Sequence, residues 1–201
     1  MGSSVVNIVS NASLMLGGRP ISDLSEDNDR TRLAANLYPM VKRFVLRRHP
    51  WNCCIKRVTL SPDVATPAFD FAFQFTLPSD YMRTLSVGES GCESFFKIEG
   101  GKLLSDDNPC LLRYVFDNDN PGTYDDMLVM ALTVSMKAVM AYPITQSTSL
   151  EQLVAAELQS VMKQARAVDG QDETPEMLGD SPLLQSRYGT GYGTGNIWRG
   201  S

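Results

Sequence analysis

Val5, Ile8, Val9, Ala12 and Leu16 fall on one stripe at helical spacing, and Gly17-Gly18 directly after them can supply a left-handed C-cap. The spacing predicts a short first helix and then a turn. Residues 19–26 read as a connector, and Asp27, Asn28 or Asp29 can cap a second helix by accepting bonds from its free N–H groups. Within that helix Tyr38, Val41, Val45 and Leu46 recur at helical spacing with Lys42, Arg43, Arg47 and Arg48 between them, which is the pattern of one buried face. Pro50 pushes the residue before it out of the α region, so the helix is expected to stop near His49. Trp51 then stands at a helix-to-strand corner, where its ring can pin the core while the indole N–H finds a partner.

From residue 53 to 116 the period changes to two. Phe69, Phe71, Phe73 and Phe75 alternate with Asp70, Ala72, Gln74 and Thr76, which makes this the clearest strand pattern in the chain. Further strands are expected at 55–60, 81–87, 95–98 with 102–104 across the Glu99-Gly100-Gly101 turn, and 111–116. The links are too short for crossovers, so the region reads as an antiparallel meander of five or six short strands.

Helical spacing returns after Pro121-Gly122. Residues 124–141 are apolar on nearly every face, with Met127, Met130, Met136 and Met140 among them, and a helix of that kind must be covered on all sides. Pro143 is expected to break it, and Thr148 with Glu151 reads as a capping box for a last helix to about residue 168. Residues 169–180 are acidic and read as loose. The tail repeats Tyr188-Gly-Thr-Gly as Tyr192-Gly-Thr-Gly and ends near Ile197 and Trp198. So much glycine cannot pack a core of its own, whereas Tyr and Trp commonly anchor docking arms; the tail is either an arm that orders on a partner or an idle terminus.

The pattern gives an α+β chain with four parts: N-terminal helices at 1–52, an antiparallel β region at 53–120, a C-terminal helical hairpin at 121–169 packing on the N-terminal helices as a small bundle, and an extended Gly/Tyr-rich arm at 170–201. With 43% hydrophobic and 20% charged residues, the composition is that of an ordinary folded protein. There is no basic n-region followed by an apolar h-region, and the most apolar run, 127–134, falls far short of the roughly 18–20 residues of a membrane span. A cytoplasm-like compartment and no membrane partner are expected. The four cysteines lack CxxC spacing and a companion histidine cluster, so they read as buried thiols without a metal.

The net charge of -5 changes the picture once it is divided. Residues 1–57 hold nine Lys or Arg against four acids, a balance of +5, and residues 58–201 hold nine against nineteen, a balance of -10. That asymmetry fits two surfaces with different partners, and equally fits local solubility of helices and loops. Lys42, Arg43, Arg47, Arg48, Lys56 and Arg57 make the basic concentration. Phosphate is one partner for it, although no aromatics interleave for base stacking and several of these cations sit at a helix C-terminus; an acidic protein surface explains it at least as well.

Catalytic constellations are sparse. His49 is the only histidine and sits at a helix end, where it can complement the terminal carbonyls. Asp106-Asp107, Asp117 with Asp119, and Asp125-Asp126 could in principle supply a glycosidase acid and base, but adjacent acids in loops and first turns are more often caps and turn formers. No P-loop, GxGxxG or HExxH is present, and no cofactor is expected.

Leu37-Tyr38, Leu46-Arg47-Arg48-His49-Pro50-Trp51-Asn52, Lys56-Arg57 and Leu60, in this order, resemble the opening of the tail tubular protein A family, the head-to-tail adaptors of short-tailed bacteriophages. Asn11-Ala12-Ser13-Leu14 to Leu16-Gly17-Gly18, Leu77-Pro78-Ser79-Asp80-Tyr81-Met82-Arg83 and Ala141-Tyr142-Pro143-Ile144-Thr145 agree in order, so the resemblance covers roughly residues 5–170. It implies a non-enzymatic virion protein, assembled in the host cytoplasm. Such a subunit joins a dodecameric ring beneath the portal protein, extends the DNA ejection channel without binding DNA specifically, and meets the tail nozzle protein. It also implies docking elements at the 43–57 corner, with Arg43, Arg47, Arg48, Trp51 and Arg57, and in the arm, with Tyr188, Tyr192 and Trp198. Acids after residue 57 are expected to line the channel, since a wall that held phosphates would stall DNA. The Tyr-Gly-Thr-Gly repeat departs from the family's pattern. The rival readings are a virion-associated glycan hydrolase using an acidic pair and, more weakly for an acidic chain, a nucleic-acid-binding module.

Overall fold

The computed structural model describes residues 4–89 and 92–170. The loose acidic segment and the docking arm expected beyond Gly170 lie outside the described residues. Helix α1 (Val5–Met15) starts on Ser4, whose hydroxyl accepts from the Asn7 N–H, and buries Ile8, Val9 and Ala12. It closes as the glycine pair predicts. Gly17 takes φ 75°, its N–H bonds to the Leu14 carbonyl, and the Gly18 N–H bonds to that of Ser13, a paired closure that satisfies two terminal carbonyls.

Helix α2 (Asp29–Arg48) is capped by Asn28, whose side chain accepts from the Thr31 N–H, and ends at His49 in extended backbone. Its predicted stripe of Tyr38, Val41, Val45 and Leu46 is buried. Pro39 lies inside α2 on the exposed side. Trp51 is fully buried, and its indole N–H donates to the Val45 carbonyl at 3.2 Å. The corner is therefore pinned from inside.

The β region departs from a single meander. A short 3-10 turn (Asn52–Cys54) leads into β1 (Ile55–Leu60), followed by β2 (Phe73–Thr76), β3 (Tyr81–Glu89), β4 (Cys92–Glu93), β5 (Phe96–Glu99), β6 (Lys102–Ser105) and β7 (Cys110–Phe116). All pairs are antiparallel, as expected, but they make two sheets, ordered β1-β7-β3-β4 and β2-β6-β5. β7 sits between β1 and β3, with register shifts near Arg83 and Ser86, so the chain closes this sheet by returning rather than by stepping sideways. The phenylalanine run contributes only its second half. Asp70 takes φ 69°, a conformation that pleated strand cannot include, and the ladder starts at Phe73.

Helix α3 (Asp126–Thr145) is capped by Asp125, and α4 (Thr148–Asp169) by Ser147, one residue earlier than the predicted Thr148. Pro143 does not break α3. It lies exposed in the last turn, where the missing N–H costs one bond, and Gln146 ends the helix at φ 52° with its N–H on the Tyr142 carbonyl at 2.8 Å. α3 packs against α1, α2 and α4. Its mean hydropathy of 1.6 over a membrane-length window makes it long and apolar enough to span a bilayer by length and composition. The sequence expectation counted only the uninterrupted run, whereas Thr, Ser and a single Lys leave the average high. Half of that window is buried within the fold, and Lys137 reaches Glu157 of α4 at 2.6 Å.

Two cores result. The larger joins all four helices to Trp51, Cys54, Met82 and Val115; the smaller lies at the sheets, around Leu60, Phe75, Val87, Leu103, Leu112 and Tyr114.

Candidate docking surfaces

The outer face of α2 is the first surface. The helical repeat that turns Tyr38, Val41 and Val45 inward leaves Met40, Arg43, Phe44, Arg47 and Arg48 outward. Met40 and Phe44, one turn apart, are 58% and 55% exposed, and the Arg48 guanidinium lies 5.5 Å from the Phe44 ring centroid. Aromatic and arginine side chains in that arrangement are the usual anchors of protein contacts.

The ridge is held from behind by charge. Lys42 is buried, with its Nζ 2.7 Å from Asp117 and also bonded to Asp119, both in the segment after β7. Burial alone would lower the Lys42 pKa, but the two carboxylates outweigh it and raise it. Arg43 reaches the other Asp117 oxygen at 3.8 Å. Beside them the Tyr124 hydroxyl donates to the Asn118 carbonyl at 2.6 Å. Burial pushes both Tyr38 and Tyr124 above the ordinary phenol range.

The second surface lies on the smaller sheet. Phe69 and Phe95 are 77% and 75% exposed. Phe95 stacks on buried Phe71 with ring centroids 5.7 Å apart. A groove lined by Pro67, Phe69, Phe71, Lys97 and Leu104 runs beside them. Exposed aromatics gathered at one edge of a sheet are a candidate contact surface.

Of the residues singled out in the sequence, Arg43, Arg47 and Arg48 come together on the α2 ridge. Arg57 does not join them: it faces Arg113 across the β1–β7 ladder, on a separate groove with Glu89 and Glu93. Trp51 offers no surface at all, because the corner packs it into the core. Tyr188, Tyr192 and Trp198 lie outside the described residues. Sequence spacing missed Met40 and Phe44, which its buried stripe left unassigned, and Phe69, which alternation assigned to a strand face. The Pro67-Ala68-Phe69-Asp70 composition was a turn signal that could have released Phe69 from the strand.

The acid pairs hold structure. Asp106 accepts from the Ala72 N–H, Asp125 caps α3, and Asp117 and Asp119 hold Lys42. His49 meets Asp169 rather than helix carbonyls, with Nε2 2.7 Å from Oδ2. Among the described residues no group of three or more His, Cys, Asp or Glu is placed to hold a metal ion. In comparisons with known proteins, no family model and no curated sequence matches this chain.

Proposed function

We propose that this protein is a structural adaptor subunit of a short-tailed phage virion, one that assembles in a dodecameric ring under the portal protein, extends the DNA channel and meets the tail nozzle. The observation that carries the reading is the pair of unlike exposed surfaces on separate cores: the Met40, Phe44 and arginine ridge of α2, and the exposed Phe69 and Phe95 beside the smaller sheet. A cyclic head-to-tail ring needs two different patches on each subunit, whereas an enzyme working alone has no use for either. In this reading the four helices act as the bundle that presents the ridge. The acids of the β region and beyond line the lumen and let DNA slide past.

Light scattering after size exclusion tests this, on the full chain alone and after mixing with the portal ring of the same phage. A portal-dependent rise to a stoichiometric ring complex is expected. An unchanged subunit beside an unchanged portal overturns the adaptor reading and moves assays of glycan cleavage to the front.

A further inference from the structure

Cys53 and Cys54 are adjacent in the 3-10 turn between α2 and β1, and their Sγ atoms lie 3.8 Å apart. Successive Cα atoms are about 3.8 Å apart, below the roughly 4.4–6.8 Å that a disulfide spans, so a direct S–S bond would require the backbone to move. A two-sulfur chelate needs no such movement. Two bonds of about 2.3 Å meeting at a centre with an angle of about 95–109° place their sulfurs about 3.4–3.8 Å apart, so the pair needs to close by a few tenths of an ångström at most.

We propose that Cys53 and Cys54 form a chelating dithiol site, open on the Cys53 side, that takes a soft thiophilic centre between its two sulfurs. The turn is fixed before any ligand arrives: the Cys54 N–H donates to the Trp51 carbonyl at 2.8 Å, the Asn118 side-chain amide donates to the Cys53 carbonyl at 3.1 Å, and Trp51 is fully buried. Cys53 is partly exposed and Cys54 is not, so a ligand meets Cys53 first. The hydrogen bond from Cys54, the largest influence, outweighs burial and lowers the Cys53 thiol pKa, while the same bond and burial push Cys54 up. Cys53, the partly exposed sulfur, forms the first bond, and Cys54 closes the chelate. Among the described residues no third metal-ligating side chain completes a cluster here. The class of ligand is therefore a centre satisfied by two sulfurs, such as a monosubstituted trivalent arsenical, rather than tetrahedral zinc. With an arsenoxide the balance is simple: two S–H bonds break, two As–S bonds form, and the arsenic-bound oxygen leaves with both protons as water.

The test uses phenylarsine oxide on the reduced full chain under native conditions, read by intact mass and by competition with thiols. One adduct per chain is expected, reversed by a 1,2-dithiol but not by an equal concentration of monothiol. Cys53→Ser, at the partly exposed position, should keep the melting temperature and weaken retention about 100-fold or more, the advantage that a second linked ligand supplies. A variant with Cys92→Ser and Cys110→Ala should still bind. Absence of the adduct, equal reversal by monothiol, or full retention in folded Cys53→Ser would each overturn the proposal.

Discussion

His49 and Asp169 are 120 positions apart in sequence, yet His49 Nε2 lies 2.7 Å from Asp169 Oδ2, and both side chains are largely buried. The other Asp169 oxygen accepts from the Asn52 N–H at 3.2 Å, and the Asn52 side chain donates to the Asp169 carbonyl at 3.0 Å. His49 also meets Trp51 edge to face, with ring centroids 4.9 Å apart. This clasp ties the end of α4 to the α2–β1 corner. Asp169→Ala removes the partner of the Asn52 N–H and strands the His49 ring in a place water reaches poorly, so it should lower unfolding free energy by about 2 kcal/mol. Urea denaturation reads this as a lower midpoint at unchanged slope. A wild-type midpoint would show that the clasp carries no stability.

Lys42→Met keeps the length of a buried side chain and removes its charge, leaving Asp117, only 22% exposed, with no close cation but distant Arg43. The expected loss is about 2 kcal/mol, and adding Asp117→Asn should recover most of it, because the main cost is the stranded carboxylate. Asp119, at 86% exposure, sits in water, so Asp119→Asn should change stability by less than about 0.5 kcal/mol. A double variant no more stable than Lys42→Met alone would place the cost in packing instead.

Three tyrosines should resist base. Burial pushes Tyr114 up to about 12, with the Asp80 carboxylate that accepts its hydrogen bond adding to the shift, and burial raises Tyr38 and Tyr124 as well. A folded-state pKa above the unfolded one stabilises the fold fully below the ordinary phenol value near 10. That contribution is lost as pH climbs toward 12. Absorbance titration should therefore show the remaining tyrosines ionising first, and these three only together with loss of helical circular dichroism. Ionisation of all seven in one step near 10, with the fold intact, would contradict the burial.

The elements legible in the sequence were those whose signal is local. The α2 stripe, the Asn28 cap, the Gly17 closure and β1 needed only spacing and a cap residue. The sheets were less legible because β1 finds its partner in β7, some fifty residues on, and no local period records that choice. Phe69 and Pro143 failed for a related reason. A proline in an exposed last turn and an aspartate at positive φ are settled by what surrounds them, not by the residue's average preference. The arginines of the ridge were found by charge, but their apolar companions Met40 and Phe44 were not, since only the folded helix shows which apolar residues the core leaves outside.

The smaller sheet gives the cleanest separation of assembly from stability. Phe69 is 77% exposed in a bend that carries no ladder bonds, so Phe69→Ser should shift unfolding free energy by less than about 0.5 kcal/mol. Phe95→Ser removes a ring stacked on Phe71 and should cost somewhat more. On the α2 ridge, Phe44→Ser removes the ring beneath Arg48 but leaves the buried stripe intact. If the two surfaces are complementary halves of one ring contact, each single variant should fail to enter the portal complex while staying folded. A one-to-one mixture of Phe69→Ser and Phe44→Ser subunits should recover only partly, since every second contact would join two wild-type patches. Light scattering of the mixture measures this directly. Ring formation by both single variants at wild-type yield would show that neither surface is the seam between subunits, and would leave the exposed phenylalanines to a partner outside the ring.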